Sequence, residues 1–171
     1  MCIRDRAFAF ALLGPALPPR VRLRAEPWRS DGPRAVGWAI AAALVGQTDL
    51  LRMLGPFDPA TFLFYEDLDL CLRARDLGIP TLLDPDVVLR HRGGHSTRPA
   101  FAGEPQSYLA RRRRGVVRAR LGERALARDD LAQGLTFASR IVARGLLRRP
   151  TARPRAQLAG LRAARREGGR S

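Results

Sequence analysis

FDPATFLFYEDLDLCLR, Phe57 to Arg73, sets four carboxylates among aromatic and aliphatic side chains: Asp58, Glu66, Asp67 and Asp69. An unpaired buried carboxylate is costly, so acids placed here need a reason. One reason is helical: acids in a first turn are favoured by the macrodipole. The other is chemical: a carboxylate at the floor of a cleft can take a proton from an attacking hydroxyl. The spacing predicts a helix over Glu66 to Leu77. Leu68, Cys71 and Leu72 fall on one face, and Leu70, Ala74 and Leu77 on an adjoining one. Gly78 stands where a C-terminal cap belongs.

Upstream, VGWAIAAALV (Val36 to Val45) is a continuous apolar run whose length suits a buried strand, though its alanines also suit a helix. Thr48 is placed to cap a short helix over Asp49 to Leu54, stopped by Gly55-Pro56. Downstream, Ile79 to Leu83 and Val87 to Arg90 read as short strands around Asp84-Pro85-Asp86. Strand, helix, strand, strand is half of an α/β domain. Beyond Pro105 the pattern predicts amphipathic helices over Ser107 to Leu121 and Asp129 to Leu147, the second ended by Pro150 and Pro154. A last short helix is expected over Leu158 to Arg166. In the Asp129 to Leu147 helix, Leu131, Leu135, Ala138, Ile141, Val142, Gly145 and Leu146 gather on one side, and Arg140, Arg144 and Arg148 on another.

The domains expected are therefore a connector over 1–33, an α/β segment over 34–104 and an arginine-rich helical tail over 105–171. The connector is rich in Pro, Arg and Gly. Its first residues, MCIRDR, resemble translated adaptor sequence and carry no weight.

Charge is uneven along the 171 residues. Residues 1–110 hold 13 Arg against 12 acids, net +1, and residues 111–171 hold 18 Arg against 4, net +14. A nearly neutral body with a basic tail is the asymmetry of a domain with a surface-binding appendage. Every basic residue is Arg and there is no Asn, as a GC-rich genome would produce, so part of the arginine reflects codon bias. Nucleic acid is not the expected partner. The tail offers only Tyr108 and Phe137 for stacking. An anionic membrane surface suits amphipathic helices with arginine flanks better. A solvated basic face packed on its own domain accounts for the tail equally well. The two cysteines show no metal or disulfide spacing, and no apolar run reaches the ~18 residues of a membrane span.

Two Asp-x-Asp triplets, Asp67/Asp69 and Asp84/Asp86, could in principle hold Mg²⁺ or Mn²⁺. Within a helix, however, i and i+2 diverge by roughly 200°. Asp84-Pro-Asp86 reads first as a turn. His91 is followed by Arg-Gly-Gly, whose glycines permit close approach of a ligand to the backbone.

In this order the features resemble the C-terminal half of the catalytic domain of family 2 glycosyltransferases, the rhamnosyltransferase-like and galactofuranosyltransferase-like bacterial members. The family shows W-x-x-G-A-x, G-G-F-D, F-x-Y-x-E-D-x-D-L-x-x-R and P-D-x-x-x-x-H-x-x-G/S-x-S. This chain offers Trp38, Gly55-Pro56-Phe57-Asp58, Phe62 through Arg73, then Pro85-Asp86, His91, Gly93-Gly94 and Ser96. The resemblance covers about a third of the chain. It implies a partial GT-A nucleotide-diphospho-sugar transferase fold of α/β class, lacking its N-terminal half, and inverting sugar transfer. A nucleotide-sugar donor would give its sugar to a glycan or lipid-linked acceptor in cell-envelope polysaccharide synthesis. Asp67 would be the general base. Glu66, Trp38 and Asp58 would bind the acceptor, and His91 would join a divalent metal, Mg or Mn. Arg73 would anchor the helix through a salt bridge. The enzyme would lie in the cytoplasm, peripheral at the inner face of the plasma membrane.

Two departures stand out: Ala41 replaces the family's Gly after Trp-x-x, and Pro56 replaces a Gly. The family's donor-gripping D-x-D lies nowhere upstream of Val36, so the piece is expected to be inactive alone. The competing expectation is a non-catalytic basic protein that binds anionic membrane or nucleic acid through its arginine tail.

Overall fold

The computed structural model describes residues 30–55, 57–61, 63–90 and 105–168. They fall into two compact units, one with described residues between 30 and 90 and one between 105 and 168.

In the first unit, strand β1 (Arg34–Val36) pairs antiparallel with β2 (Thr81–Leu83), with Arg34 opposite Leu83 and Val36 opposite Thr81. Between them lie helix α1 (Thr48–Leu54), a 3-10 turn (Pro59–Thr61) and helix α2 (Glu66–Asp76). The core comes almost wholly from α2: Leu68, Cys71, Leu72 and Ala74 are buried, and Asp67, Asp69 and Thr61 are buried with them. Leucines recurring at the helical period place that face inward.

The second unit is a bundle of three helices: α3 (Gln106–Leu121), α4 (Glu123–Leu146) and α5 (Ala152–Glu167). Its core is built from small residues, Ala110, Ala125, Ala132 and Ala164, around Val116, Val117, Leu126 and Leu161. Small side chains let helix axes approach closely. Gly160 of α5 shows the limit, because a Cβ there would lie 2.6 Å from the backbone carbon of Gln106. Gly122 alone joins α3 to α4, with φ +80, a conformation that suits glycine.

The expected partial GT-A fold is not formed. Among the described residues the only sheet has two strands of three residues each, against five α-helices. The reason lies in two apolar runs read as strands. Of the run from Val36 to Val45, only Val36 pairs, and the rest is irregular, with Val45 fully exposed at 100%. Val87 to Arg90 forms no strand, and Val88 is 81% exposed. An apolar run becomes a strand only where another edge satisfies its backbone groups. Among the described residues, beyond Val36 neither run has one.

The helices, in contrast, outgrow their predicted bounds. α4 begins at Glu123, six residues before the expected start. Pro154 does not end a helix but sits buried in the first turn of α5, where a missing N–H costs nothing. Among the described residues no helix is long and apolar enough to cross a membrane.

Candidate functional site

α2 starts from an unusual approach. Leu63, Phe64 and Tyr65 have φ of 59, 71 and 67. Three successive non-glycine residues in left-handed conformation are strained, by roughly 1–2 kcal/mol each. Tyr65 then accepts the first helical bond, from the N–H of Asp69 at 3.0 Å. No side chain caps the helix.

The approach turns the Tyr65 ring onto Trp38, with centroids 5.8 Å apart and planes inclined at 37°. The segment after Trp38 is held to α2 by two further links. The Ala41 N–H donates to Asp67 Oδ2 at 3.0 Å, and the Cys71 thiol lies 4.0 Å from the Ala39 carbonyl oxygen. Trp38, Glu66 and Asp67 are thus brought to one corner, although 28 residues separate the first from the second.

Each acid has its own environment. Asp67 is buried and accepts two backbone N–H groups, from Ala41 and, at 2.7 Å, from Leu68. Asp69, also buried, pairs with Arg73 Nε at 2.9 Å. Arg73 also donates to the Leu54 carbonyl, tying α2 to the end of α1, so it makes the helix-anchoring salt bridge expected of it. Asp58 is half-buried and its carbonyl receives the N–H of Thr61 at 2.9 Å. Glu66 differs: among the described residues its buried Oε2 has no hydrogen-bond partner, and neither has the buried indole Nε1 of Trp38.

His91 lies outside the described residues, as do Gly93, Gly94 and Ser96. Among the described residues no three His, Cys, Asp or Glu side chains gather in a way that could hold a metal ion. Asp67 and Asp69 face different partners. The Asp84 carboxylate accepts the N–H of Asp86 at 3.0 Å, closing a turn around Pro85.

Two participants escape a reading of the sequence. One is Tyr65, whose ring contact depends on a left-handed backbone that Leu-Phe-Tyr does not announce. The other is the Ala41 N–H, because backbone donors carry no sequence signature.

In the helical unit, the run Arg111 to Arg114 is occupied internally. Arg111 pairs with Glu167 at 3.0 Å, and Arg113 grips Asp129 with two bonds at 2.8 and 2.7 Å. Arg114 pairs with buried Asp130, and Arg112 lies over the Tyr108 ring, 5.0 Å from its centroid. These four arginines clamp α3 to α4 and α5 and to its own Tyr108; the appendage-like charge run is bundle structure.

No protein-family model matches this chain, and neither a curated protein nor a solved structure matches it significantly.

Proposed function

We propose that residues 30–90 take part in transfer of a sugar from a nucleotide-sugar to a glycan or lipid-linked acceptor, with the acceptor held beside Tyr65. One observation carries this: two buried polar atoms without partners among the described residues, of opposite sense, on residues that adjoin Tyr65. Trp38 Nε1 is a donor and Glu66 Oε2, a carboxylate oxygen, is an acceptor. A hydroxyl is both. Leaving either atom unmet costs about 1–3 kcal/mol, which an acceptor hydroxyl would recover once the Trp38 and Tyr65 rings part to admit it.

The motif string around Glu66-Asp67 adds independent support. Asp67 is the proposed base. A carboxylate offers about four lone-pair sites, and the two bonds from Ala41 and Leu68 orient it without exhausting them. Asp58 is proposed as a further acceptor contact. His91 remains the proposed ligand of a divalent metal, to which no step is assigned. A place at the inner face of the plasma membrane belongs to the same proposal, since nucleotide-sugars and lipid-linked acceptors meet there.

Saturation-transfer NMR with free hexoses and 6-deoxyhexoses tests the acceptor corner. The wild-type chain should show sugar signals, and Trp38→Phe and Glu66→Gln should each weaken them severalfold. No signal from the wild type, or signal undiminished from wild type in both variants, would remove the site. In the full-length gene product, Asp67→Asn should abolish transfer while nucleotide-sugar binding persists. Unchanged turnover would exclude Asp67 as the base.

A further inference from the structure

Helix α4 turns the wrong face to its own bundle. The apolar stripe legible in the sequence is not the face that packs. α4 buries Ala125, Leu126, Asp130 and Ala132, all in its first half. At roughly 100° per residue, these centre on the side opposite Leu131, Leu135, Ala138, Val142 and Leu146. That stripe runs along the outside: Leu131 is 53% exposed, Val142 61% and Leu146 80%. Past Ala132 no residue of α4 is buried. The stripe spans about 22 Å at 1.5 Å per residue.

Its ends are cationic. Arg124 and Arg128, exposed, stand at the N-terminal end of the same face, and exposed Arg148 and Arg149 follow its C-terminal end. From Leu131 to Arg166 the sequence has nine arginines and no acid.

We infer that the outer face of α4 lies on an anionic phospholipid bilayer, with Leu131, Leu135, Val142 and Leu146 in the acyl boundary. Arg124, Arg128, Arg148 and Arg149 then reach the phosphates. Charge selects this occupant. Two copies docked stripe to stripe would set arginine ends against arginine ends, parallel or antiparallel, with no acid to separate them. A nucleic acid would meet an aliphatic stripe without an exposed aromatic ring. A lipid surface takes both features at once: aliphatic area enters the interface and long cationic side chains snorkel to headgroups. The inference does not depend on sugar transfer by residues 30–90. It also moves the membrane contact away from Arg111–Arg114, which already have partners within the bundle.

Flotation of the full chain with vesicles tests it. The chain should float with phosphatidylcholine vesicles containing phosphatidylglycerol and at least tenfold less with phosphatidylcholine alone. Val142→Asp/Leu146→Asp replaces exposed residues only, so helical circular dichroism should hold while flotation falls at least tenfold. Arg148→Ser/Arg149→Ser should cost about fivefold for each arginine lost. In a Cys2→Ser background, a polarity-sensitive dye placed by Val142→Cys should shift to the blue with anionic vesicles. One placed by Arg140→Cys, on the opposite side of α4, should not. Equal blue shifts at both positions would overturn the inference, as would undiminished flotation of the double aspartate variant. A dimer that the aspartates abolish, without lipid binding, would assign the stripe to a second copy and overturn it. RNA retention without flotation would do the same.

Discussion

A carboxylate can be structural and chemical at once, and Asp67 shows how to separate the two. It holds the N–H groups of Ala41 and Leu68. Asp67→Asn keeps one amide oxygen and can satisfy only part of this, so stability should fall by about 1 kcal/mol. Asp67→Ala strands both donors and should cost about 1–3 kcal/mol. Urea denaturation measures each. If Asn and Ala cost the same, the Ala41 link contributes nothing. Asp130 is a sharper case. It is buried against Arg114, with Arg165 3.7 Å away. Asp130→Ala leaves Arg114 as a buried unpaired cation and should cost about 3–5 kcal/mol, whereas the apolar pair Arg114→Met/Asp130→Leu should recover most of that loss. Equal loss in single and double variants would show that the charge itself is not what matters. At this scale the family resemblance, not the residue pattern alone, named Glu66, Asp67 and Trp38. It could not show that Trp38 stacks on Tyr65 or that Asp67 ties down Ala41. Both depend on a left-handed backbone and on a donor common to nearly every residue.

Helices were more legible than strands, although Ile79 to Leu83 does hold β2, and one physical reason accounts for the difference. A helix closes its hydrogen bonds within the segment, so 3.6-residue periodicity and breakers such as Gly78 go far to locate it. A strand closes its bonds on another segment, which no local pattern reveals. Val36–Val45 and Val87–Arg90 had strand-like composition, yet among the described residues only Val36 of the two runs pairs. Even for helices, the pattern did not say which face packs. In α4 the bundle chose alanines for close approach and left the leucine stripe outside. Two measurements follow at this scale. Amides of Leu135 to Leu146 should exchange at least about tenfold faster than those of Ala125 to Ala132, since only the first half of α4 is buried. Equal protection would mean that the second half is packed in solution. Gly160→Ala should lower stability by about 1–3 kcal/mol, because its Cβ meets α3 backbone, which cannot swing aside as a side-chain tip can. A neutral Gly160→Ala would show that α3 and α5 stand further apart than described here.

Over the whole molecule, net charge of +15 works against ion pairing, and salt decides which is larger. All four acids of residues 111–171 are paired: Glu123 with Arg118, Asp129 with Arg113, Asp130 with Arg114, and Glu167 with Arg111. Pairing is therefore saturated, and arginines remain in large excess. The exposed pairs are worth at most about 1 kcal/mol each and weaken in salt. The buried pair between Arg114 and Asp130 is screened little. Repulsion among the surplus arginines reaches about 30 Å at 0.01 M salt and about 8 Å at 0.15 M. Raising salt over that range removes more repulsion than attraction. The melting temperature should therefore climb by several degrees with sodium chloride, and Arg148→Ser/Arg149→Ser should shrink the climb. A melting temperature that falls over the same range would mean that the exposed pairs, not the surplus charge, set the electrostatic balance of this chain.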